Sequence, residues 1–182
     1  YFISESKWKS KFVNNMSQSW WCLLIDKMIV TALETHNFVD PTVLQAISLL
    51  SKLWKGERTN WLRTYGDQGS SIIQLACAGG NPEVLVEFLD STLFVPDEAT
   101  RIKLLFHDLD GSGSSAFHYA CQPHQKSGDK VKSGLVSLIL RNYAPSHSSA
   151  EVLQIPNALG QTPMQIARSH QMHSVLKVLQ AH

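Results

Sequence analysis

Between residues 69 and 182, apolar and polar positions return three times in the same order. The copies are Gly69-Ser70-Ser71-Ile72-Ile73-Gln74-Leu75-Ala76-Cys77, Gly113-Ser114-Ser115-Ala116-Phe117-His118-Tyr119-Ala120-Cys121 and Gly160-Gln161-Thr162-Pro163-Met164-Gln165-Ile166-Ala167-Arg168. Each sets a Gly, a hydroxyl two residues on (Ser71, Ser115, Thr162), a large apolar residue (Ile73, Phe117, Met164), a polar hydrogen-bonder (Gln74, His118, Gln165), an apolar residue and an Ala. A hydroxyl directly before such a pattern is a helix N-cap signal, so each copy predicts a short helix. A second amphipathic stretch follows each one: Val84 to Leu89, Leu135 to Leu140 and Val175 to Leu179. The first of these is introduced by Asn81-Pro82-Glu83, with Asn as N-cap and Pro at the first helical position. The predicted unit is a loop, a short helix and a second helix.

This unit resembles the ankyrin repeat. Gly160-Gln161-Thr162-Pro163-Met164-Gln165-Ile166-Ala167 is similar to that family's Gly-x-Thr-Pro-Leu-His-x-Ala signature, and Ser115-Ala116-Phe117-His118-Tyr119-Ala120 keeps the hydroxyl, His and Ala. In physical terms, the hydroxyl caps the first helix, the Ala lets two helices approach closely, and the His or Gln can hydrogen-bond to a neighbouring repeat. The resemblance implies an all-α fold, a helical repeat solenoid over residues 65–182 with units starting near 66, 110 and 157. The copies depart from the family in spacing. Gly69 to Gly113 is 44 residues and Gly113 to Gly160 is 47, against a family period of about 33. Insertions are therefore expected at Val95 to Phe106, where Pro96-Asp97-Glu98 can start an extra helix, at the polar stretch Gln122 to Ser133, and at Pro145 to Ile155.

Residues 1–64 lack the signature but follow a helical period. Trp20, Leu24, Met28 and Ala32 form one row beside Trp21, Ile25, Ile29 and Leu33, and Asp40-Pro41 opens a helix carrying Val43, Ile47, Leu50 and Trp54. Helices here would cap the open end of a solenoid. All five tryptophans (Trp8, Trp20, Trp21, Trp54, Trp61) lie in this segment. They serve either as the core of that cap or, for one or two of them, as a partner-binding patch.

Composition narrows the function classes. The chain has 182 residues, 43% hydrophobic and 17% charged, enough to bury a sizeable core. Its net charge of +1 lacks the excess that counterion-driven nucleic-acid binding needs. That balance hides a split, since residues 1–64 carry eight Lys or Arg against five Asp or Glu, and the remainder eight against ten. The apolar stretch Trp20 to Leu33 is interrupted by Asp26 and Lys27, so no membrane span is expected. Cys22, Cys77 and Cys121 are too few and too far apart for a disulfide framework, which favours a reducing, intracellular, cytoplasmic setting. The chain opens on Tyr1 without a signal-peptide pattern and reads as a piece of something longer.

Three clusters invite chemistry. Asp108-Leu109-Asp110-Gly111-Ser112-Gly113 begins like a calcium loop, but Ala116 at the ninth place and Tyr119 at the twelfth supply no ligand oxygen of the kind required. His118, Cys121 and His124 are spaced by three and suggest a soft-metal site or a Cys-His nucleophile. Yet Cys121 takes the repeat position of Cys77, and His118 that of Gln74 and Gln165, so packing and inter-repeat bonding account for both. Lys7-Trp8-Lys9-Ser10-Lys11-Phe12 interleaves basic and aromatic residues, a pattern that suits stacking on single-stranded nucleic acid or contact with an anionic membrane, but it is short and isolated, and a solvated helix face with Trp8 and Phe12 turned inward accounts for it better. No catalytic, metal-binding or cofactor-binding residue is assigned, and no cofactor is expected.

The resemblance implies a protein partner, bound by turn tips and the exposed side of the first helices. Carried over by register, the contact residues are Asp67, Gln68, Ser70 and Ala78 in the first unit, Gly111, Ser112, Ser114 and Gln122 in the second, and Ala158, Leu159, Gln161, Ser169 and His170 in the third. The expected function is that of a protein-interaction domain of a larger protein, monomeric, with no nucleic-acid partner. In style, the interrupted copies are similar to ankyrin-bearing effectors that intracellular bacteria deliver into the host cytoplasm or nucleus. The alternative is a regulatory or substrate-recruiting domain of an enzyme whose catalytic part lies elsewhere or uses Cys121.

Overall fold

A computed structural model describes residues 69–80, 82–90, 95, 97–124, 127–144 and 149–182. The expected helical cap over 1–64, its tryptophans, Cys22, the Lys7–Phe12 stretch and the site residues Asp67 and Gln68 lie outside the described residues. Those described are helical and contain no strand. In chain order they form α1 (Ile72–Gly79), α2 (Pro82–Asp90), α3 (Glu98–Ile102) running into a π turn (Lys103–His107), α4 (Ala116–Ala120), α5 (Asp129–Asn142), α6 (Ser149–Val152), α7 (Pro163–Ser169) and α8 (His173–Gln180).

The three short helices start where the repeated hydroxyls place them. Ser71, Ser115 and Thr162 are the N-caps of α1, α4 and α7, and each closes a reciprocal capping box with Gln74, His118 or Gln165 three residues on. Such a box satisfies two of the backbone N–H groups that a helix start leaves without an intrahelical partner. The three helices form one row, α1 against α4 and α4 against α7, while α2, α5 and α8 pack in sequence as a second row. The small residue of each copy lies in the seam: Ala76, Ala120 and Ala167 are fully buried. Ile73, Phe117, Leu85, Phe88, Leu135, Ile139, Val175 and Leu179 fill the space between rows.

The segments between units carry structure of their own. Asp97 caps α3 by accepting from the Thr100 N–H, as the Pro-Asp-Glu start predicts. The following π turn buries Leu104, Leu105 and Phe106, with the Phe106 ring 5.2 Å from that of Phe117. The polar stretch expected as an insertion over Gln122 to Ser133 is shorter than that, because α5 already begins at Asp129. Its Lys132 is fully buried, which breaks the polar reading of the segment. Within the expected insertion from Pro145 to Ile155, α6 forms and Val152 and Leu153 join the core. No helix of the described residues is long and apolar enough to cross a membrane.

Candidate functional site

Two loops project ahead of α4 and α7, and they are built alike. In the first, Asp110 N–H donates to Ser114 O at 3.2 Å and Gly113 N–H to Asp110 O at 2.9 Å; in the second, Asn157 N–H donates to Gln161 O and Gly160 N–H to Asn157 O, both at 2.9 Å. The side chain at the head of each turn gathers the remaining donors. Asp110 Oδ1 accepts from Ser112 N–H at 2.9 Å, Ser112 Oγ at 2.7 Å and Ser114 N–H at 3.0 Å. Asn157 Oδ1 accepts from Leu159 N–H at 3.0 Å and Gln161 N–H at 2.9 Å. Short polar side chains that bond their own backbone two residues on are what makes Asp and Asn turn formers.

Asp110 also ties neighbouring units together, since its Oδ2 accepts from Ser70 Oγ of the first unit and from the Tyr119 hydroxyl of α4. Burial raises its carboxyl, but the donors from Tyr119, Ser112 and Ser114 outweigh this and hold it below the usual carboxylate value. The cluster that resembles the start of a calcium loop is thus a turn whose lead carboxylate is occupied by protein donors. Gly113 closes the row. Its φ is 68°, and a Cβ there would lie 2.6 Å from the Ala158 backbone N, so the Asp110 tip rests directly on the Asn157 tip.

Of the residues expected to face a partner, Gly111, Ala158, Leu159, Ser169 and His170 are exposed, while Ala78, Ser112, Gln122 and Gln161 are half-buried. Ser70 and Ser114 correct the expectation. Both are buried, Ser70 because its hydroxyl turns inward to Asp110 and Ser114 because its carbonyl receives Gln74 Nε2 at 2.9 Å. One residue that the register did not assign belongs with the tips. Leu109, directly before the Asp110 turn, is 53% exposed, and Leu159 in the next tip is 80% exposed. Its sequence signal is a large apolar residue set between two aspartates at a turn.

The polar position of the first two copies bonds forward to the next unit. Gln74 Nε2 donates to Asp108 O at 3.1 Å as well as to Ser114 O. His118 is fully buried, its Nε2 3.0 Å from Ile155 O and its Nδ1 accepting from Ser115 N–H at 3.1 Å. Burial outweighs the Ile155 and Gln161 backbone and the charge of Asp110, and holds its ring below the ordinary histidine value. Gln165 in the third unit is exposed.

Cys77 and Cys121 are both fully buried, and burial pushes the Cys77 thiol up to about 12 and the Cys121 thiol higher still. An activated nucleophile needs the opposite, an accessible thiol with a lowered pKa. Cys121 has neither property. Beside the two cysteines sits Lys132, whose Nζ donates to Cys77 O and Ala78 O at 2.6 Å each and to Tyr119 O at 3.1 Å. These carbonyls end α1 and α4, where a helix dipole favours a cation. In the second row, Asp129 reaches from α5 to accept from Ser174 N–H at 2.7 Å and Val175 N–H at 3.1 Å. It supplies to α8 the cap that Met172, at the N-cap position, does not.

No protein-family model and no curated protein sequence matches the chain. Among solved structures it is similar to a chain from the crystal structure of the yeast ribosomal protein Rps3 in complex with its chaperone Yar1, at 15% identity and a TM-score of 0.64. The match covers 92% of this chain and 95% of the other. At that identity the likeness concerns the fold.

Proposed function

We propose that the chain is a protein-interaction domain of a larger protein, an ankyrin-like scaffold that binds a protein partner through its turn tips and the exposed side of α1, α4 and α7. The observation that carries this reading is the pair of adjacent tips at Asp110–Ser114 and Asn157–Gln161. Each satisfies four of its five backbone donors internally, and together they hold Leu109 and Leu159 in water on a fixed frame. Rigid turns on a packed scaffold present contact residues at little ordering cost on binding. Gly111, Ser112 and Gln161 supply small polar contacts on the same two tips. The fold neighbour, taken from a complex of a protein with its chaperone, supports a protein partner in general terms. The narrower form of the proposal, a bacterial effector acting on a host protein, rests on the degenerate, interrupted copies.

The test is affinity capture with the full chain and with a Ser112→Arg, Gln161→Arg double variant. Both half-buried positions sit on the tips, and the arginines extend over the proposed contact surface. Proteins retained by the wild type should be lost by a double variant with an unchanged melting temperature. Retention by a folded double variant would sink the tip assignment.

A further inference from the structure

The three capping boxes differ in a chemically decisive way. The box residue is Gln74 in the first unit and Gln165 in the third, neither of which titrates, but it is His118 in the second. His118 is also the side chain that holds the approach to the third unit, through Ile155 O. We propose that the junction between the second and third units is an acid-sensitive latch, closed by neutral His118 and released when that ring is protonated.

The bonding of the ring requires the neutral form with its proton on Nε2. Nε2–H donates to Ile155 O at 3.0 Å, and Nδ1 accepts the Ser115 N–H at 3.1 Å. A second proton would have to sit on Nδ1. Ser115 Oγ, 2.7 Å away, can turn to accept from it, but the Ser115 N–H then loses its acceptor and the box opens. The charge would also be enclosed in a site with no solvent access.

The charged and titratable groups of the surrounding elements offer little compensation. Asp110 favours protonation through its charge, but its oxygens already accept from Ser70, Ser112, Ser114 and Tyr119. Lys132 on α5 points to the carbonyls of Cys77, Ala78 and Tyr119, and Cys77 on α1 is a protonated thiol. Lys103 and His107 on the π turn and Arg168 on α7 are exposed. Burial therefore prevails, and the folded ring is held below the ordinary histidine value. The sign follows: as pH falls through about 6.5, the released state takes up the proton before the latched state does, so release is favoured on the acid side. What is released is the segment from Ile155 through the Asn157–Gln161 tip, together with α7 and α8. The latch does not depend on whether the tips bind a partner.

Amide hydrogen exchange reads it directly. Between pH 7.5 and pH 5.0, protection corrected for intrinsic exchange should fall in residues 155–182 while α1 and α2 keep theirs. The fall should be roughly tenfold for each pH unit by which His118 is held below its ordinary value. His118→Gln, which installs the residue of the flanking units, should abolish this response. A double variant His170→Gln, His173→Gln removes the exposed histidines of the third unit and should keep it. Asp129, the other titratable clamp on that unit, is held below the usual carboxylate range and remains charged at pH 5. The proposal fails if wild-type protection in residues 155–182 is flat with pH. It also fails if His118→Gln responds like the wild type, or if the His170, His173 double variant loses the response.

Discussion

Replacing Lys132 with methionine keeps most of the side chain's length and removes three hydrogen-bond donors. The ammonium spends all three on the carbonyls that end α1 and α4. Bonds to a charged group contribute about 1.5–3 kcal/mol each. The lower part of that range applies, because Gly80 N–H keeps a 3.2 Å bond to Cys77 O and Gln122 N–H a 3.3 Å bond to Tyr119 O. Against this stands the cost of enclosing the charge. Burial lowers Lys132 from 10.5 to about 8, a cost of roughly 3.5 kcal/mol at about 1.4 kcal/mol per pH unit. At pH 7 the group is still mainly the three-donor ammonium. At the lower end of the range the three bonds outweigh the cost by about 1 kcal/mol, so Lys132→Met should lower the unfolding free energy by that amount in a urea titration. Its melting temperature should fall by roughly 2–4 °C for a chain of this size. A methionine variant as stable as the wild type, or more stable, would refute the reasoning. It would mean that the enclosed charge is a net burden, as some buried ion sites are.

Other consequences can be read from single sites. Gly113→Ala should cost more than Gly160→Ala, because both positions have positive φ but only the first sets its Cβ against the Ala158 backbone. The left-handed conformation alone costs about 1–2 kcal/mol, so equal urea midpoints for the two variants would contradict the close contact of the tips. Asp129→Ala should lose about 1–2 kcal/mol through the missing cap on α8, checked by the same titration. In the native state Cys77 and Cys121 should react with a thiol reagent only at the rate of unfolding. Labelling of either within seconds at pH 7.5, mapped by mass spectrometry to exclude Cys22, would contradict their burial.

What the sequence made legible was local. A hydroxyl and its partner three residues on define a capping box within one turn, so the starts of α1, α4 and α7 could be read directly from Ser71–Gln74, Ser115–His118 and Thr162–Gln165. The fully buried alanines and the equivalence of Cys77 with Cys121 followed from the same register. What escaped was non-local. Lys132 looks in the sequence like part of a polar insertion, because its acceptor carbonyls lie up to 55 residues away. Asp129 meets the start of α8 45 residues on, and Ser70 is drawn inward by an aspartate 40 residues distant. Leu109 carries no register signal, because it stands before the repeated turn.

The most direct test of the tips as a partner surface is site-specific photo-crosslinking in the full chain. A photoreactive amino acid at 109 or 159 reports on the tips, and one at 87 or 177 reports on the exposed side of the second helix row. The proposed function predicts defined protein adducts from positions 109 and 159 and none from 87 and 177. Adducts from 87 and 177 alone would place the partner on the opposite surface and contradict it.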